Sequence, residues 1–303
     1  SDPRVTILDD HIDFNNSPIG DITIASQDIG STAFDWFLVT ANIDAVPGNI
    51  PCTVTMTAGT DEYPYQEIET IGLDLTLSQF GFPVDGIVVK SSPLVVDLNN
   101  DDVKEIYFGS DNEALHGYNS FGEEIDGFPF QSTDRVRSSP AVGDVDNDGE
   151  MEIVFGNSSG KLYVINHDGS QQLAYTILGF VEGAPALVDV DGDQDLEIVF
   201  TTTTTSGGQL YVIHHNGITM SGFPKELGSM WVGPAVHDID NDGAYDVICT
   251  TYDKEVYAIE VNGGQVKTGF PFTAQGRFDI SPTLVDVDSD GDYEIVVGSN
   301  SGE

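Results

Sequence analysis

Residues 138–169 read SSPAVGDVDNDGEMEIVFGNSSGKLYVINHDG and place three aspartates in one short loop directly before an apolar segment. Counted from the first aspartate, the acidic side chains stand at positions 1, 3, 5 and 9: Asp144, Asp146, Asp148 and Glu152. Carboxylates so close together repel one another unless a cation lies between them. Because the loop offers only hard oxygen ligands, and Gly149 at position 6 allows a sharp turn, the pattern predicts a calcium site. For a single loop, an acidic surface turn would explain the pattern equally well.

The same acidic pattern returns in four further loops. Their residues at positions 1, 3, 5 and 9 are Asp97, Asn99, Asp101 and Glu105; Asp189, Asp191, Asp193 and Glu197; Asp238, Asp240, Asp242 and Asp246; and Asp286, Asp288, Asp290 and Glu294. The residues at position 7 of the five loops complete the predicted ligand sets: Val103, Glu150, Asp195, Ala244 and Asp292. Successive loops begin 47, 45, 49 and 48 residues apart. Five loops in register exclude coincidence, so the sequence predicts Ca²⁺ as the cofactor, with about five ions, one in each repeat.

The loops do not match the EF-hand, because that motif has a helix on each side and a bidentate glutamate at position 12. Position 12 here is apolar or a thiol: Phe108, Phe155, Phe200, Cys249 and Val297. The segments after the loops, such as EIVFGN and DVICTT, are rich in β-branched and aromatic residues, which favours strands. Each loop is therefore predicted to join two strands.

The regular spacing of the loops predicts a repeat architecture. Within residues 80–303 the repeats start near 81, 127, 175, 222 and 269, at a Gly-Phe-Pro tripeptide in all but the third. Each complete repeat continues with a step ending in proline, a first strand, the acidic loop, a second strand and a third strand such as KLYVIN. A fourth, less regular strand is predicted to run back to the next Gly-Phe-Pro. Four antiparallel strands per unit are typical of a β-propeller blade, so the predicted fold is an all-β, incomplete β-propeller.

The stretch SSPAVGDVDNDGEMEIVFGNSSGKLYVIN resembles the FG-GAP or VCBS-type repeats of integrin α heads and of many secreted bacterial proteins. The resemblance covers residues 80–303. It implies a calcium-binding β-propeller that is secreted or exposed at the cell surface and takes part in adhesion. The sequence departs from the pattern at Asn99, and at Asp102 and Gln194, which replace glycine at position 6. We therefore expect calcium in all five loops, bound most weakly in the first and third.

Residues 1–79 do not follow the repeat. Segments such as RVTILDD, DITIAS and CTVTMTAG predict short strands and, together, an Ig-like β-sandwich. The segments DPRVTILDD and VPGNIPCTVTMTAG resemble sandwich domains of large secreted bacterial proteins, notably some subtilisin-like proteases. This resemblance implies further domains in the same parent protein and is consistent with a protease domain upstream. The fifth repeat stops at Glu303, before its third strand, so further blades are also expected.

The charge of the chain limits its partners. Its 303 residues include 51 acidic side chains and only 10 Lys or Arg side chains, which gives a formal net charge of −41 at pH 7. So acidic a chain repels nucleic acid and anionic membranes, and it has no apolar run long enough to insert into a bilayer. Extracellular calcium modules work at about 10⁻⁴–10⁻³ M, so we expect a secreted or cell-surface protein. Cys52 and Cys249 both lie in strand-like segments, where buried free thiols are favoured over an interdomain disulfide.

Three other motifs have both a structural and a functional interpretation. Residues 156–160 match the nucleophile motif G-x-S-x-G, but they join two predicted strands, which favours a hairpin turn. His214 and His215 could bind a transition metal, but His167 and His215 precede equivalent turns, which favours solvated turn histidines. The aromatic rings of the Gly-Phe-Pro steps are regularly spaced, which favours core packing over ligand stacking: Phe82, Phe128, Phe223 and Phe270.

Two functions remain open on the sequence. The favoured one is non-catalytic: a secreted calcium-binding propeller that contacts an unidentified protein or glycan, or acts as a spacer, within a larger extracellular protein. The alternative is a calcium-dependent propeller enzyme that acts on polysaccharide as a lyase or hydrolase. Such an enzyme is expected to gather basic or aromatic side chains in loops on one face. Arg135, Arg137 and Arg277 are the nearest candidates, and no residue is assigned a catalytic role.

Overall fold

The computed structural model describes residues 48–60, 63–75 and 82–302. The chain divides into two units, Ser1–Gln79 and Phe80–Glu303. In the first unit, β1 (Gly48–Thr60) and β2 (Tyr63–Leu75) form an antiparallel hairpin. The predicted strand CTVTMTAG lies within β1 and is confirmed. Most of the predicted Ig-like sandwich lies outside the described residues, so that domain stays a prediction.

The second unit is built from short antiparallel strands. Sheet 1 contains β3 (Leu94–Val96), β4 (Glu105–Gly109), β5 (Ala114–Tyr118) and β6 (Phe130–Gln131). Sheet 2 contains β7 (Ala141–Gly143), β8 (Glu152–Gly156), β9 (Lys161–Asn166) and β10 (Gln171–Thr176). Sheet 3 contains β11 (Ala186–Val188), β12 (Glu197–Thr201), β13 (Gly208–Ile213) and β14 (Lys225–Leu227).

Sheet 4 contains β15 (Ala235–His237), β16 (Asp246–Thr250), β17 (Glu255–Glu260), β18 (Gln265–Val266) and β19 (Phe272–Thr273). Both β18 and β19 pair with β17, one after the other along its length. Sheet 5 contains β20 (Thr283–Val285) and β21 (Glu294–Val296). The part of the chain that the structure describes contains no helix, and hence no helix that could span a membrane.

Neighbouring sheets pack face to face, and the two faces of each central strand enter different cores. In β8, Ile153 and Phe155 pack with residues of sheet 1, whereas Val154 packs with residues of sheet 3. In β12, Phe200 likewise packs with sheet 2 and Val199 with sheet 4. Because both faces are covered, the second strands are continuous apolar runs rather than alternating patterns. This packing explains why the strand after each acidic loop is so apolar.

The predicted fourth strand before the next Gly-Phe step is confirmed for β10 and β18, but β6, β14 and β19 lie after their Gly-Phe-Pro steps. The Gly-Phe-Pro steps at 127–129, 222–224 and 269–271 come directly before β6, β14 and β19 rather than after them. In sheet 2 no such step occurs, and β10 follows the turn after β9 at once. The step therefore introduces the last strand of a sheet instead of the first strand of the next.

The core role predicted for the Gly-Phe-Pro rings is confirmed for three of them. Phe128 is 8% exposed, and its ring meets the ring of Tyr107 edge-on at 5.1 Å between centroids. Phe223 and Phe270 are partly buried against the cores of sheet 4. The thiol of Cys249 is also buried and free, as expected.

The fold is confirmed as all-β, with four-stranded antiparallel sheets that follow one another along the chain. The described residues do not close into a ring of sheets. Sheet 5 has two strands among these residues, β20 and β21, which flank the fifth acidic loop. In all five sheets the acidic loop joins the first strand to the second, which places the five loops at equivalent positions.

Candidate metal sites

The second acidic loop shows how the backbone gathers its carboxylates. Both carboxylate oxygens of Asp144 accept backbone hydrogen bonds, from Asp148 N and Gly149 N, each at 3.0 Å. Oδ1 of Asp148 accepts from Glu150 N at 2.9 Å. These bonds fold the backbone of the loop around the aspartates at positions 1 and 5.

The other four loops repeat this hydrogen-bond pattern. In every loop the aspartate at position 1 accepts from the backbone N–H of position 6, at 2.8 to 3.1 Å. In every loop the aspartate at position 5 accepts from the N–H of position 7, at 2.8 to 3.0 Å. Five independent stretches of sequence therefore fold into one loop geometry.

The acidic residue at position 9 is the first residue of the second strand. In the second loop this residue is Glu152, which is only 2% exposed and whose Oε2 accepts from Val145 N at 2.9 Å. The equivalent bond is 2.8 to 3.2 Å long in the four loops that carry glutamate here. In the fourth loop it lengthens to 3.4 Å, because Asp246 is one methylene shorter. Position 9 thus ties the loop to both of its strands.

Two positions of each loop have a left-handed backbone. At position 6, φ lies between 69° and 100°, and Asp102 and Gln194 adopt this conformation as the glycines do. This conformation explains why glycine occupies position 6 in three of the loops. At position 4, φ lies between 54° and 80°, which the sequence analysis did not foresee. The signal was present, because three of the five residues there are asparagines, which tolerate this region: Asn100, Asn147 and Asn241.

Four of the five loops bring three carboxylates within 4.8 Å of one another. The groups are Asp144, Asp146 and Glu152; Asp189, Asp191 and Asp193; Asp238, Asp240 and Asp246; and Asp286, Asp288 and Asp290. Within the described residues, the first loop forms no such group. There the amide of Asn99 donates to Asp101 Oδ2 at 3.1 Å, so the amide nitrogen faces the carboxylate that a cation would use.

The donor set of the loops fits calcium. All the side-chain donors are oxygens, and at position 7 Val103 and Ala244 can offer only their backbone carbonyls, a ligand that calcium accepts. In the second loop, Oδ1 of Asp146 is buried and has no hydrogen-bond partner. A buried carboxylate oxygen without a partner is unfavourable unless a cation satisfies it. Oδ1 of Asp246 in the fourth loop is likewise buried without a hydrogen-bond partner, so a cation is expected beside the acidic side chains of both loops.

Burial perturbs the carboxylates at position 9. Desolvation raises the pKa of Glu152 to about 7, although the hydrogen bond from Val145 N works in the opposite direction. The neighbouring aspartates raise it further. Burial is also the main cause of a raised pKa at Glu105 and Glu197. In the calcium-free protein these carboxyl groups hold protons more tightly than they do in the unfolded chain.

This linkage predicts that acidification stabilises the calcium-free protein. Between the ordinary pKa of glutamate, 4.5, and the raised pKa of Glu152, about 7, the folded chain binds more protons than the unfolded chain. The stabilisation is complete below the lower value and is lost as the pH rises through the upper one. We expect a higher melting temperature at about pH 5.5 than at about pH 7.5 in calcium-free buffer. Scanning calorimetry with calcium added is expected to show the reverse order, because protons compete with the ion.

The histidines of the turns are partly exposed, and they also contact loop carboxylates, which was not predicted. His167 Nδ1 lies 3.1 Å from Glu150 Oε2, and His215 Nδ1 lies 3.0 Å from Asp195 Oδ2. Both carboxylates stand at position 7 of their loops. The side chains of the two histidines are 34% and 27% exposed.

His214 contacts the third loop itself. Its Nδ1 lies 2.9 Å from Glu197 Oε1 and 3.8 Å from Asp191 Oδ2. These three side chains form the one metal-compatible group among the described residues that includes a nitrogen. The third loop therefore offers a donor that the other loops do not.

Further donors reach the loops from the fourth strand of sheet 2 and from the residue after β18 in sheet 4, and they were not predicted from the sequence. Gln172 of β10 donates its side-chain amide to Asp146 Oδ2 in the second loop. In the fourth loop, Lys267 Nζ lies 2.8 Å from Asp240 Oδ2 and 2.7 Å from Asp246 Oδ2. Although burial alone would lower the pKa of Lys267, its hydrogen bonds to these two aspartates raise it above the ordinary value. The pKa of Asp246 is nevertheless raised, because its burial outweighs the lysine.

The arginines considered for catalysis each pair with an aspartate. Arg137 forms two hydrogen bonds with Asp111, at 2.7 and 3.1 Å, which hold the pKa of that carboxyl below its ordinary value. Arg277 lies 3.0 Å from Asp279, and its guanidinium also covers the ring of Tyr252 at 5.0 Å. Arg135 lies 3.5 Å from Asp134. These residues lie in the segments that lead into sheets 2 and 5.

The G-x-S-x-G match is a hairpin turn, as predicted. Residues 157–160 join β8 to β9, and Ser158 Oγ donates to Glu182 Oε1 at 2.9 Å. The side chain of Asn157 is buried and accepts from Ser159 N and Lys161 N. The turn is thus held by its asparagine.

A comparison with known protein families finds a match within the region of the acidic loops. Residues 144–200 match the sequence model of the FG-GAP-like repeat family. The match begins at position 1 of the second loop and ends at position 12 of the third. The FG-GAP-like stretch therefore contains two complete acidic loops, with Glu152 and Glu197 at their ninth positions. No curated protein sequence matches the chain.

The chain is also similar to several solved structures. The chain is similar to the V. cholerae biofilm matrix protein Bap1, with a TM-score of 0.51, 21% identity, and coverage of 71% of this chain but only 36% of Bap1. It is similar to BBS1N, solved in complex with ARL6DN, with a TM-score of 0.50, 10% identity and coverage of 73% and 66%. The WD40 β-propeller of Doa1 matches with a TM-score of 0.45, 14% identity and coverage of 65% and 58%. At these identities the similarity concerns the fold alone.

Proposed function

We propose that this chain is a secreted, calcium-stabilised and non-catalytic module of propeller type that serves a larger extracellular protein. It contacts a protein or glycan partner, or sets the distance between other domains. We assign residues 80–303 to calcium-binding FG-GAP/VCBS-type repeats, and we assign residues 1–79 to an Ig-like β-sandwich. The observation that carries the proposal is the second loop, where three carboxylates converge and Asp146 Oδ1 is buried without a partner.

The proposed role of the loop carboxylates is structural. Position 1 follows the first strand, and position 9 begins the second strand, so a bound ion links the two strands directly. Calcium supplies the positive charge that removes the repulsion among these side chains. Backbone N–H groups of the loop donate to Asp144 and Asp148 and so orient these two carboxylates. Glu152 accepts a hydrogen bond from Val145 N, which holds the loop to the start of the second strand. Folding and calcium binding are then linked, as in other metal-dependent domains.

Two further observations support an extracellular setting. The net charge of −41 persists in large part after calcium binding, and it repels nucleic acid and anionic membranes. Loops of this ligand type match the calcium concentration found outside cells, about 10⁻³ M, rather than that of the cytosol. The partner is therefore expected to be neutral or basic at its contact surface.

The non-catalytic assignment is supported by how the described polar side chains are used. The carboxylate clusters belong to the acidic loops, and the arginines at 135, 137 and 277 are paired with aspartates. Paired arginines are less available to stabilise the charge that develops in a reacting polysaccharide. The short turns of the sheets place loops at both ends, which suits contact with a partner.

A glycan array followed by a cleavage assay tests this proposal. The calcium-loaded protein is expected to bind without cleaving its glycan, and binding is expected to decline after the ion is removed. Cleavage of a bound glycan, detected as new reducing ends or unsaturated products, would contradict the non-catalytic role. An array without any binding would assign the partner to proteins, which a crosslinking experiment on the intact parent protein can then identify.

A further inference from the structure

Lys267 occupies the centre of the fourth acidic loop. Its ammonium group lies 2.7 Å from Asp246 Oδ2, 2.8 Å from Asp240 Oδ2 and 3.8 Å from Asp242 Oδ2. The side chain of Lys267 is only 15% exposed, and that of Asp246 is fully buried. One cation of the chain itself thus contacts the acidic side chains at positions 3, 5 and 9 of this loop. It lies against Oδ2 of Asp246, whereas Oδ1 of the same carboxylate is buried without a hydrogen-bond partner.

Sheets 1, 2 and 3 have an apolar residue at the position of Lys267. The N–H of Lys267 bonds to the carbonyl of Ala258 in the third strand, at 2.9 Å. At the equivalent point of the third strand, Ile125 bonds to Gly117 and Met220 to Val212, and Leu173 pairs with Val164. Each of these apolar side chains packs against a core between sheets. Sheet 4 therefore replaces a core residue by a lysine directed into the loop.

A second departure in the same loop complements the first. Asp246 stands where the other loops have glutamate, and its Oδ2 is 3.4 Å from Ile239 N, longer than the equivalent bonds in the other loops. The shorter side chain draws its carboxylate back from the loop. Lys267 Nζ donates a hydrogen bond to this same oxygen, Asp246 Oδ2, at 2.7 Å. The two substitutions therefore fit together.

We propose that Lys267 is the permanent cation of the fourth loop, so that this loop folds without a metal ion. The inference rests on the proposed calcium binding of the other loops, and it lowers the expected number of ions from five to four. The lysine does in sheet 4 what calcium does elsewhere: it neutralises the aspartates and joins the loop to its sheet. Sheet 4 is then the part of the chain whose stability does not depend on calcium.

Calcium and the ammonium group cannot occupy this loop together. Calcium binds its oxygens at about 2.3–2.6 Å, and the same two oxygens, Asp240 Oδ2 and Asp246 Oδ2, already contact Lys267. Two cations on shared ligands would lie about 4 Å apart and repel strongly in a partly buried site. Calcium therefore has to displace the lysine, and its affinity for this loop is reduced by that competition.

The test replaces Lys267 by the residue of the neighbouring sheet. We expect Lys267→Met to bind one calcium ion more than the wild type when bound calcium per chain is counted by equilibrium dialysis. In EGTA the same variant is expected to melt about 5 °C lower than the wild type, because the buried aspartates lose their counter-ion. Added calcium is expected to restore the lost stability. Lys161→Met, which removes a lysine outside the acidic loops, is the matched control and is expected to change neither quantity.

Each outcome of this experiment is decisive. If the wild type binds calcium and Lys267→Met binds the same number of ions, the inference is wrong although the proposed function stands. If neither protein binds calcium, the proposed function fails. The role of Lys267 as the cation of the fourth loop is then tested by the melting temperatures in EGTA alone. A melting temperature of Lys267→Met equal to that of the wild type would overturn that role. Lys267→Arg keeps the charge and is expected to keep the wild-type ion count, which covers the case in which the methionine variant does not fold. An additional ion in Lys267→Arg would contradict the inference.

Discussion

Adding excess EGTA to the calcium-loaded protein is expected to lower its melting temperature by more than about 10 °C. Each site that binds only the folded chain adds RT ln(1 + [Ca]/Kd), which is about 2.7 kcal/mol when calcium is at 100 times Kd. In a domain of this size each kcal/mol shifts the melting temperature by about 2–4 °C. Several such sites on one cooperative unit therefore give a large effect. Thermal unfolding followed by circular dichroism measures it directly.

Sodium chloride provides the control for this experiment. Salt screens the repulsion among exposed carboxylates, but it cannot replace bonds to an ion held within a loop. We therefore expect salt to recover only a minor part of the loss, and added calcium to recover all of it. A melting temperature that EGTA leaves unchanged would show that calcium has no structural role here.

The substitution Glu152→Gln is expected to have opposite effects with and without calcium. Glutamine keeps an oxygen that can accept from Val145 N, but it removes a buried charge beside Asp146 and Asp148. The raised pKa of Glu152 indicates that its ionised form destabilises the calcium-free fold by on the order of 3 kcal/mol at pH 8. The variant should therefore be more stable than the wild type in EGTA. With calcium it should be less stable, because one anionic ligand is lost and the site weakens more than about ten-fold.

Glu226→Gln is the matched control for this variant, since Glu226 lies in β14 and outside the acidic loops. It is expected to shift the melting temperature little in either condition. If Glu152→Gln lowered the stability equally with and without EGTA, Glu152 would act through packing alone, and its assignment as a calcium ligand would be wrong.

The acidic loops could be predicted from the sequence because their geometry is local. Asp144, Asp148 and Glu152 fall within nine residues, and the backbone N–H groups that orient them belong to the same loop. The all-β fold was predictable for a related reason, since each second strand is an apolar run closed off by a turn. Even the left-handed position 6 could be inferred from the glycines of three loops.

The contacts that distinguish one loop from another could not be predicted in this way. Lys267 lies 21 residues from Asp246 along the chain, and only the pairing of the third and fourth strands brings the two together. His214 reaches Glu197 from 17 residues away for the same reason. The strands that follow the Gly-Phe-Pro steps were not predicted either, because β6 and β19 have two residues each, too few to give a periodic pattern.

The number of calcium ions bound by the wild-type chain shows whether the acidic loops are metal sites. The metal-free protein is dialysed against about 1 mM calcium, the extracellular level, and bound calcium is counted per chain. We predict four ions per chain, one in each loop except the fourth, where Lys267 Nζ contacts Asp240 and Asp246. A chain that binds no calcium under these conditions would contradict the central claim that the acidic loops are metal sites.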